Sequence, residues 1–433
     1  MMEMRSVVKC CLAALLLAAC LGLLAGCAIF SDNAAQEAST ALDVPASFSP
    51  EPTETPVPSP TPAPTPTPEP TPEPTPQTAS CSLRLVGDLM CCEYQMLGAL
   101  LPDGGYDFNP SFGAVRAELE SADLTIGNLE TNFYPDKPYC GTKIGFNAPL
   151  EYLEAIRNCG FDLLVTANNH SLDMGIEGLL TTAEAIYEAG LDCVGTNLTP
   201  EQKDRVYVRD VNGLRLGVIA CSTISNKIGT LNDNPDSEWA FNYYTEERLA
   251  AAAAAVREAG AEAILLYVHA GTEKDKSPRR SQYALAEYAY TLGVDIVIMS
   301  HTHSLLPMEK KQIVYEGREK TVFCAYGLGN FMSSALHDES LRNVILNLDL
   351  RLDRATGALD IQASYIPTFT INFYDENRAR QFYIIPIEAA LADFENVVDS
   401  RTRTGAAALE REWRVITDRL GTEAATPVVS FLS

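Results

Sequence analysis

Basic residues and histidine are scarce in this chain. Its 433 residues carry 32 Lys and Arg against 57 Asp and Glu, a formal charge of −25, and only five histidines. Non-specific nucleic-acid binding needs a basic face, so no nucleic-acid partner is expected. Long apolar runs are missing beyond the N-terminus, which excludes a multi-span membrane protein. Proline is sparse over most of the chain, because fourteen of the 26 fall between Pro45 and Pro76. No C-x-x-C occurs among the 12 cysteines, which argues against a zinc ribbon. No G-x-S-x-G appears. GLGNFM matches only the first two glycines of a dinucleotide loop and follows no βαβ context. What remains, 46% hydrophobic and 21% charged residues, is ordinary for a globular protein of one large domain or two smaller ones.

The N-terminus reads as an address. Arg5 and Lys9 precede an unbroken apolar or small run over residues 10–24, of signal length and too short to span a bilayer comfortably. The run ends Leu24-Ala25-Gly26-Cys27, which resembles a bacterial lipobox. That resemblance implies a signal peptide over 1–26, lipidation of Cys27, and a body anchored to the cell membrane on its extracytoplasmic face. Residues 27–79 follow as a stalk, and 43–78 are mostly Pro, Thr and Glu. Such a stretch cannot repay its ordering entropy and is expected to be disordered. Held near polyproline II, it reaches about 100 Å when extended. Eight cysteines remain after Cys27, and no pairing is assigned to them.

From Cys81 onward short β-branched runs alternate with helical patterns. The strands SLRLVGD, DLTIGNLE, FDLLVTANNH, EAILLYVHAG and VDIVIMSHTHS each end in polar residues. Helices are expected at 111–121, at 149–159 stopped by Gly160, at 175–189 stopped by Gly190, and at 245–259 and 280–292. Hairpins are expected at Asn212-Gly213 and Glu316-Gly317. Strands dominate beyond residue 341, with helices near 387–397 and 405–420. The pattern is α/β with mixed sheets between helices. It places the folded domain at 80–385 and a helical extension at 386–433.

The polar strand ends carry the chemistry, because ligands of α/β folds sit at the carboxyl ends of strands. Those ends hold Asp88, Asn128 with Glu130, Asn168-Asn169-His170, His269 with Glu273, and His301-Thr302-His303. Four of the five histidines are in this set. Any one of these residues alone is more simply a turn residue or a hydrogen-bonded core residue. Together, imidazole, carboxylate and amide oxygen are ligands for Mn, Zn or Fe, and point to a divalent metal site of one or two ions. Lys274, Lys276, Arg279 and Arg280 stand out in an acidic chain. They read either as a solvated loop and helix start or as a docking patch for an anionic substrate.

The stretches VGDLM, GNLET, ANNHSLDMG, VHAGTE, SHTHSLLP and AYGLGNF run in order from residue 84 to 331. On these the chain resembles bacterial poly-γ-glutamate capsule-synthesis proteins of the CapA type, which look like calcineurin-type metallophosphoesterases. The resemblance implies a four-layer α/β/β/α sandwich with metals above the sheet edges. It implies that Asp88 and His303 bind a first metal, and that Asn169, His269 and His301 bind a second. Glu130, or less favourably Asn128, would bridge. His170 would be the general acid, and Glu273 a ligand or a supporting residue. Met90 stands where the phosphoesterase pattern has histidine, Ala270 where the family commonly has Trp, and Ser300 where it commonly has Gly.

Three functions follow from the resemblance. The first is a surface lipoprotein supporting synthesis, export or attachment of an anionic polymer such as poly-γ-glutamate, with a membrane-bound polymer synthase as an expected partner. The second is an extracytoplasmic phosphoesterase acting on a phosphoester substrate. The third is a non-catalytic polymer-binding scaffold.

Overall fold

The computed structural model of the protein describes residues 77–428, residue 143 aside. The expected signal peptide, the lipidated Cys27 and nearly all of the stalk lie outside the described residues. No helix among the described residues is long and apolar enough to cross a membrane.

Two mixed sheets form the body. The first contains β1 (Thr78–Leu89), β2 (Leu124–Leu129), β5 (Leu163–Val165) and β6 (Asp192–Val194) in parallel. It continues antiparallel on the other flank of β1 through β13 (Arg342–Asp353), β14 (Ala358–Tyr374) and β15 (Arg380–Pro386). Between β2 and β5 lies a small separate hairpin, β3 (Cys140–Thr142) with β4 (Gly145–Asn147). The second sheet has the order β11-β12-β10-β9-β8-β7. Its strands are β7 (Tyr207–Val211), β8 (Leu214–Ser222), β9 (Ala263–His269), β10 (Ile296–Ser300), β11 (Leu305–Tyr315) and β12 (Arg318–Leu328). The central strands β9 and β10 are buried along their whole length and apolar on both faces, as parallel strands between layers must be. The edge strand β11 instead alternates half-buried and exposed positions from Glu309 on and carries Lys310 and Lys311, which blunt it against further pairing.

Both predicted hairpins form. Asn212 and Gly213 adopt φ 51° and 84°, and Glu316 and Gly317 adopt 48° and 76°, as two-residue primed turns require. The helix expected at 111–121 is instead two short pieces, Asn109–Phe112 and Arg116–Glu120.

Apolar side chains sort into layers. Leu83, Leu85, Ile126, Leu216, Leu265 and Phe323 meet in the core between the sheets. Val86, Leu89 and Leu164 face the other way, against α1 (Leu150–Asn158) and α2 (Gly175–Glu188). Ile219, Leu266 and Val297 pack against α3 (Glu246–Glu258) and α4 (Arg280–Thr291). The result is a four-layer α/β/β/α sandwich, the layering that the resemblance implies. Helix α5 (Ala406–Leu420) adds Leu409 and Ile416 to the inter-sheet core, and Ile387 and Ala390 join it. Arg342 of β13 donates from Nε to Glu412 of α5 at 2.6 Å, both side chains buried. The described residues 77–428 belong to one compact unit holding all four apolar clusters, so this part carries its own core.

Candidate metal centre

The strands β1, β2, β5, β9 and β10 deliver their polar C-terminal residues to one rim. In β1 the register shifts between Leu85 and Asp88, which turns Asp88 toward the second sheet. Gly87 permits it: a Cβ there would lie 1.9 Å from the Gly329 carbonyl oxygen, to which the Asp88 N–H donates at 3.1 Å. Gly329 itself takes φ 77° and brings Asn330 to the rim. His301 and His303 follow β10 with φ 92° and 51°. Left-handed backbone is costly for a histidine, and strain of this kind gathers at functional sites.

His170, His269 and His301 are buried, and His303 is half-buried beside the buried Asp88 and Asn330. His303 Nδ1 lies 3.0 Å from Asp88 Oδ2 and 2.7 Å from Asn330 Oδ1. His269 Nε2 lies 2.8 Å from Asn169 Oδ1 and 3.1 Å from His301 Nδ1, while its Nδ1 lies 2.8 Å from Ser300 Oγ. With Nδ1 donating to Ser300, the Nε2 electron pair faces the Asn169 oxygen. Glu130 stands between the two groups, fully buried. Its Oε1 has no hydrogen-bond partner, and lies 3.7 Å from His269 Nε2 and 3.8 Å from His303 Nε2. Donor atoms of Asp88, Glu130 and His303 converge within 4.8 Å, and so do those of Glu130, His269 and His301.

A buried carboxylate oxygen without a partner is costly, and electron pairs aimed at one another are repulsive. A cation relieves both. The residues present therefore fit a divalent ion in each of two adjacent positions that share Glu130. The electrostatics agree. Burial, and then the charge of Asp88, push the Glu130 carboxyl well above its usual range. Burial, and then the neighbouring imidazoles, pull His269 well below its usual value, and burial pulls His301 down to about 4. Burial also pulls on His303, but Glu130 and Asp88 outweigh it and hold it up at about 10. Neutral His269 and His301 are the ligating form.

His170 borders this cluster. Its Nδ1 lies 2.7 Å from Asp173 Oδ2, which also accepts from the Phe146 N–H at 2.8 Å. Asn226 Nδ2 stands 3.4 Å from its Nε2. Asp173 thus orients the ring, with Nε2 directed away from the Asp173 carboxylate.

The other expected residues take different places. Asn128 donates from Nδ2 to Asp88 Oδ1 at 2.8 Å, so it orients a ligand. Glu273 is exposed and belongs to neither donor group, although its charge bears on His301 and His303. Met90 supplies no ligand. Its carbonyl accepts from Tyr152 and Gln95, and its side chain is buried. Lys274 is tied through its backbone N–H to the Thr302 carbonyl at 2.7 Å, so the basic loop docks on the His301–His303 turn. Lys276 and Arg280 are exposed, and Arg279 is paired with Asp275 at 2.5 Å. The eight cysteines after Cys27 are free thiols. Sequence reasoning passed over Asp173, Ser300 as a partner, Asn226 and Asn330. Asp173 had one signal, three residues past His170 in ANNHSLD.

The family model described as bacterial capsule synthesis protein PGA_cap matches residues 82–335, more than half of the chain and all of the rim. The chain belongs to this family. It is 27% identical over 292 residues to the capsule biosynthesis protein CapA of Bacillus anthracis, covering 65% of this chain and 66% of that one. It is 26% identical over 260 residues to the PGA biosynthesis protein CapA of Bacillus subtilis (strain 168), covering 58% and 63%. The chain thus spans just under two thirds of the length of these curated relatives. The solved structure of the calcineurin-like phosphoesterase YfkN from Bacillus subtilis is similar at 14% identity and a TM-score of 0.40, over 79% of this chain and 98% of that one.

Proposed function

We propose that this PGA_cap member is an extracytoplasmic protein, lipid-anchored through Cys27, that supports synthesis, export or attachment of an anionic polymer of the poly-γ-glutamate type. The relatives' roles in capsule and PGA biosynthesis support the polymer. The lipobox-like sequence supports the anchor, and the proline-rich stretch supports a stalk between anchor and domain. The carrying observation is the partnerless Glu130 Oε1 between two histidine groups.

Asp88, Glu130 and His303 would hold one divalent ion, and Glu130, Asn169, His269 and His301 the other; Mn, Zn and Fe suit these ligands. Such an ion supplies positive charge where the chain, at −25, would otherwise repel a polyanion. Asn128 and Ser300 orient the ligands Asp88 and His269. The docked loop carrying Lys274, Lys276 and Arg280 provides a cationic rim for carboxylates. The test is sedimentation of residues 77–433 with poly-γ-glutamate, with Mn²⁺ or Zn²⁺ and with EDTA. Metal-dependent co-sedimentation, lost in a His301→Ala, His303→Ala double variant, is expected. Binding that ignores both metal and variant refutes the reading and leaves a scaffold.

A second reading is favoured by one specific observation, the His170–Asp173 pair beside the centre. With Nδ1–H held by Asp173, His170 in its imidazolium form carries a second proton at Nε2, which is placed for a departing ester oxygen. In this reading the protein hydrolyses phosphate esters. Turnover of p-nitrophenyl phosphate or its diester, abolished by His170→Asn with metal content unchanged, supports it. Absence of turnover in the metal-loaded protein removes it.

A further inference from the structure

A cavity of about 330 Å³ opens at the sandwich edge, apart from the metal residues. Its cause is readable in the chain. Strand β7 stops pairing with β8 at Tyr207 and Val218, and the next segment to pair with β8 does so only at Ser222 with Tyr243. In between, the β8 edge has Ala220 O bridged by the Asn242 side chain at 3.2 Å. Above this gap lies α3, whose six consecutive alanines, 250–255, are too small to fill it. Ala251, Ala252 and Ala255 line the space. Close-packed interiors do not leave such voids without a reason.

The walls are apolar and aromatic: Val206, Val218, Leu249, Val256, Trp239 and Tyr243. One end is different. A polar space of about 40 Å³ adjoins it and shares Val194, Arg205, Val206, Tyr207 and Asn242 with the main cavity. Two cations stand here, Lys203 and Arg205, and neither has an ion-pair partner among the described residues. The nearby acids are mostly engaged. Glu238 pairs with Arg248, and Asp192 accepts from Tyr207 at 2.7 Å and Arg209 at 3.1 Å. Asp204 is exposed at the rim. In a chain of net charge −25, two unpaired cations at the mouth of an apolar cavity are a local excess of the opposite sign.

We propose that this cavity is a binding site for a small amphipathic carboxylate. Its apolar body lies between the alanine face of α3 and the β8 edge, and its carboxylate meets Arg205 and Lys203. The volume falls within the range of about 300–1,000 Å³ for small-molecule sites, and the lining has their usual character, apolar with few polar anchors. The assignment is independent of the metal centre, so either can fail alone.

The test uses residues 77–433 and two probes of equal length, decanoate and decanol, titrated by calorimetry and by tryptophan emission, which Trp239 reports. One saturable decanoate site is expected, with decanol bound at least tenfold more weakly. Arg205→Ala at the exposed rim should weaken decanoate at least tenfold. Ala255→Phe should abolish binding by filling the cavity. Trp239→Phe should remove the emission change but leave the calorimetric signal. Unchanged circular dichroism and metal content show that each variant is folded. No saturable decanoate binding, equal binding of decanoate and decanol, or binding untouched by both Arg205→Ala and Ala255→Phe overturns the proposal.

Discussion

Replacing Glu130 by Gln is the substitution from which the centre predicts most. The amide keeps the shape of the side chain and removes only its charge. Glu130 is fully buried, and its Oε1 faces His269 Nε2 at 3.7 Å and His303 Nε2 at 3.8 Å without a partner. A unit charge about 4 Å from another is worth about 4 kcal/mol at an effective dielectric near 20. Part of this returns because an amide is cheaper to bury than a carboxylate. The expected net loss is about 3 kcal/mol of metal binding, or about 100-fold in affinity. Unfolding followed by calorimetry converts this into a shift. At a metal concentration 1,000 times the wild-type dissociation constant, the metal stabilises the wild type by about 4 kcal/mol and the Gln variant by only about 1.4 kcal/mol. The metal-free variant should be at least as stable as the metal-free wild type, because the orphaned charge is gone. Equal metal-induced stabilisation of the two proteins would show that Glu130 is not a ligand and would refute the reasoning.

Other predictions are simpler. Asp173→Asn should leave metal content unchanged, and should lower any phosphoester turnover by about 100-fold or more, read from kcat in a p-nitrophenyl phosphate assay. Gly87→Ala places a carbon 1.9 Å from the Gly329 carbonyl oxygen. It should cost about 3 kcal/mol or more in urea unfolding and loosen the metal centre with it. Glu412→Ala removes the 2.6 Å partner of buried Arg342, which keeps Glu339 at 3.1 Å, and should cost about 1.5–3 kcal/mol, seen as a lower denaturant midpoint. Glu339 is held below the usual carboxylate range, first by its hydrogen bond with Arg419. A depressed folded value means stability that is present above the ordinary glutamate pKa and is lost as pH falls through the folded one. Arg419→Met should therefore make the melting temperature less sensitive to pH between about 5 and 3.

Much of the fold was legible because parallel strands flanked by layers are apolar throughout and stop abruptly. AILLYVH and IVIMS show this, and each delivers a histidine at or just past its end. The two hairpins were legible because Asn-Gly and Glu-Gly must take positive φ. The candidate residues Asp88, Glu130, Asn169, His269, His301 and His303 could be gathered from their common position at strand ends. Their pairing could not, because it depends on the register between two sheets. Asn330 is an instance: it reaches His303 only because Gly329 and Gly87 touch, and these lie 242 positions apart in sequence. Asp173 sat in what read as the approach to a helix, and only the fold shows it beneath His170. The β3–β4 hairpin has strands of three residues each, too short for a periodic signal. The helix expected at 111–121 breaks at Gly113, whose backbone conformation remains helical while the chain turns between two short pieces.

The central claim is that two ion positions share Glu130. Crystals of residues 77–433 soaked in Mn²⁺, with diffraction recorded at the manganese absorption edge, test it most directly. The account predicts two anomalous peaks, one among Asp88, Glu130 and His303 and one among Glu130, His269 and His301. No peak at either position, in crystals that diffract well and have taken up the ion, would contradict it.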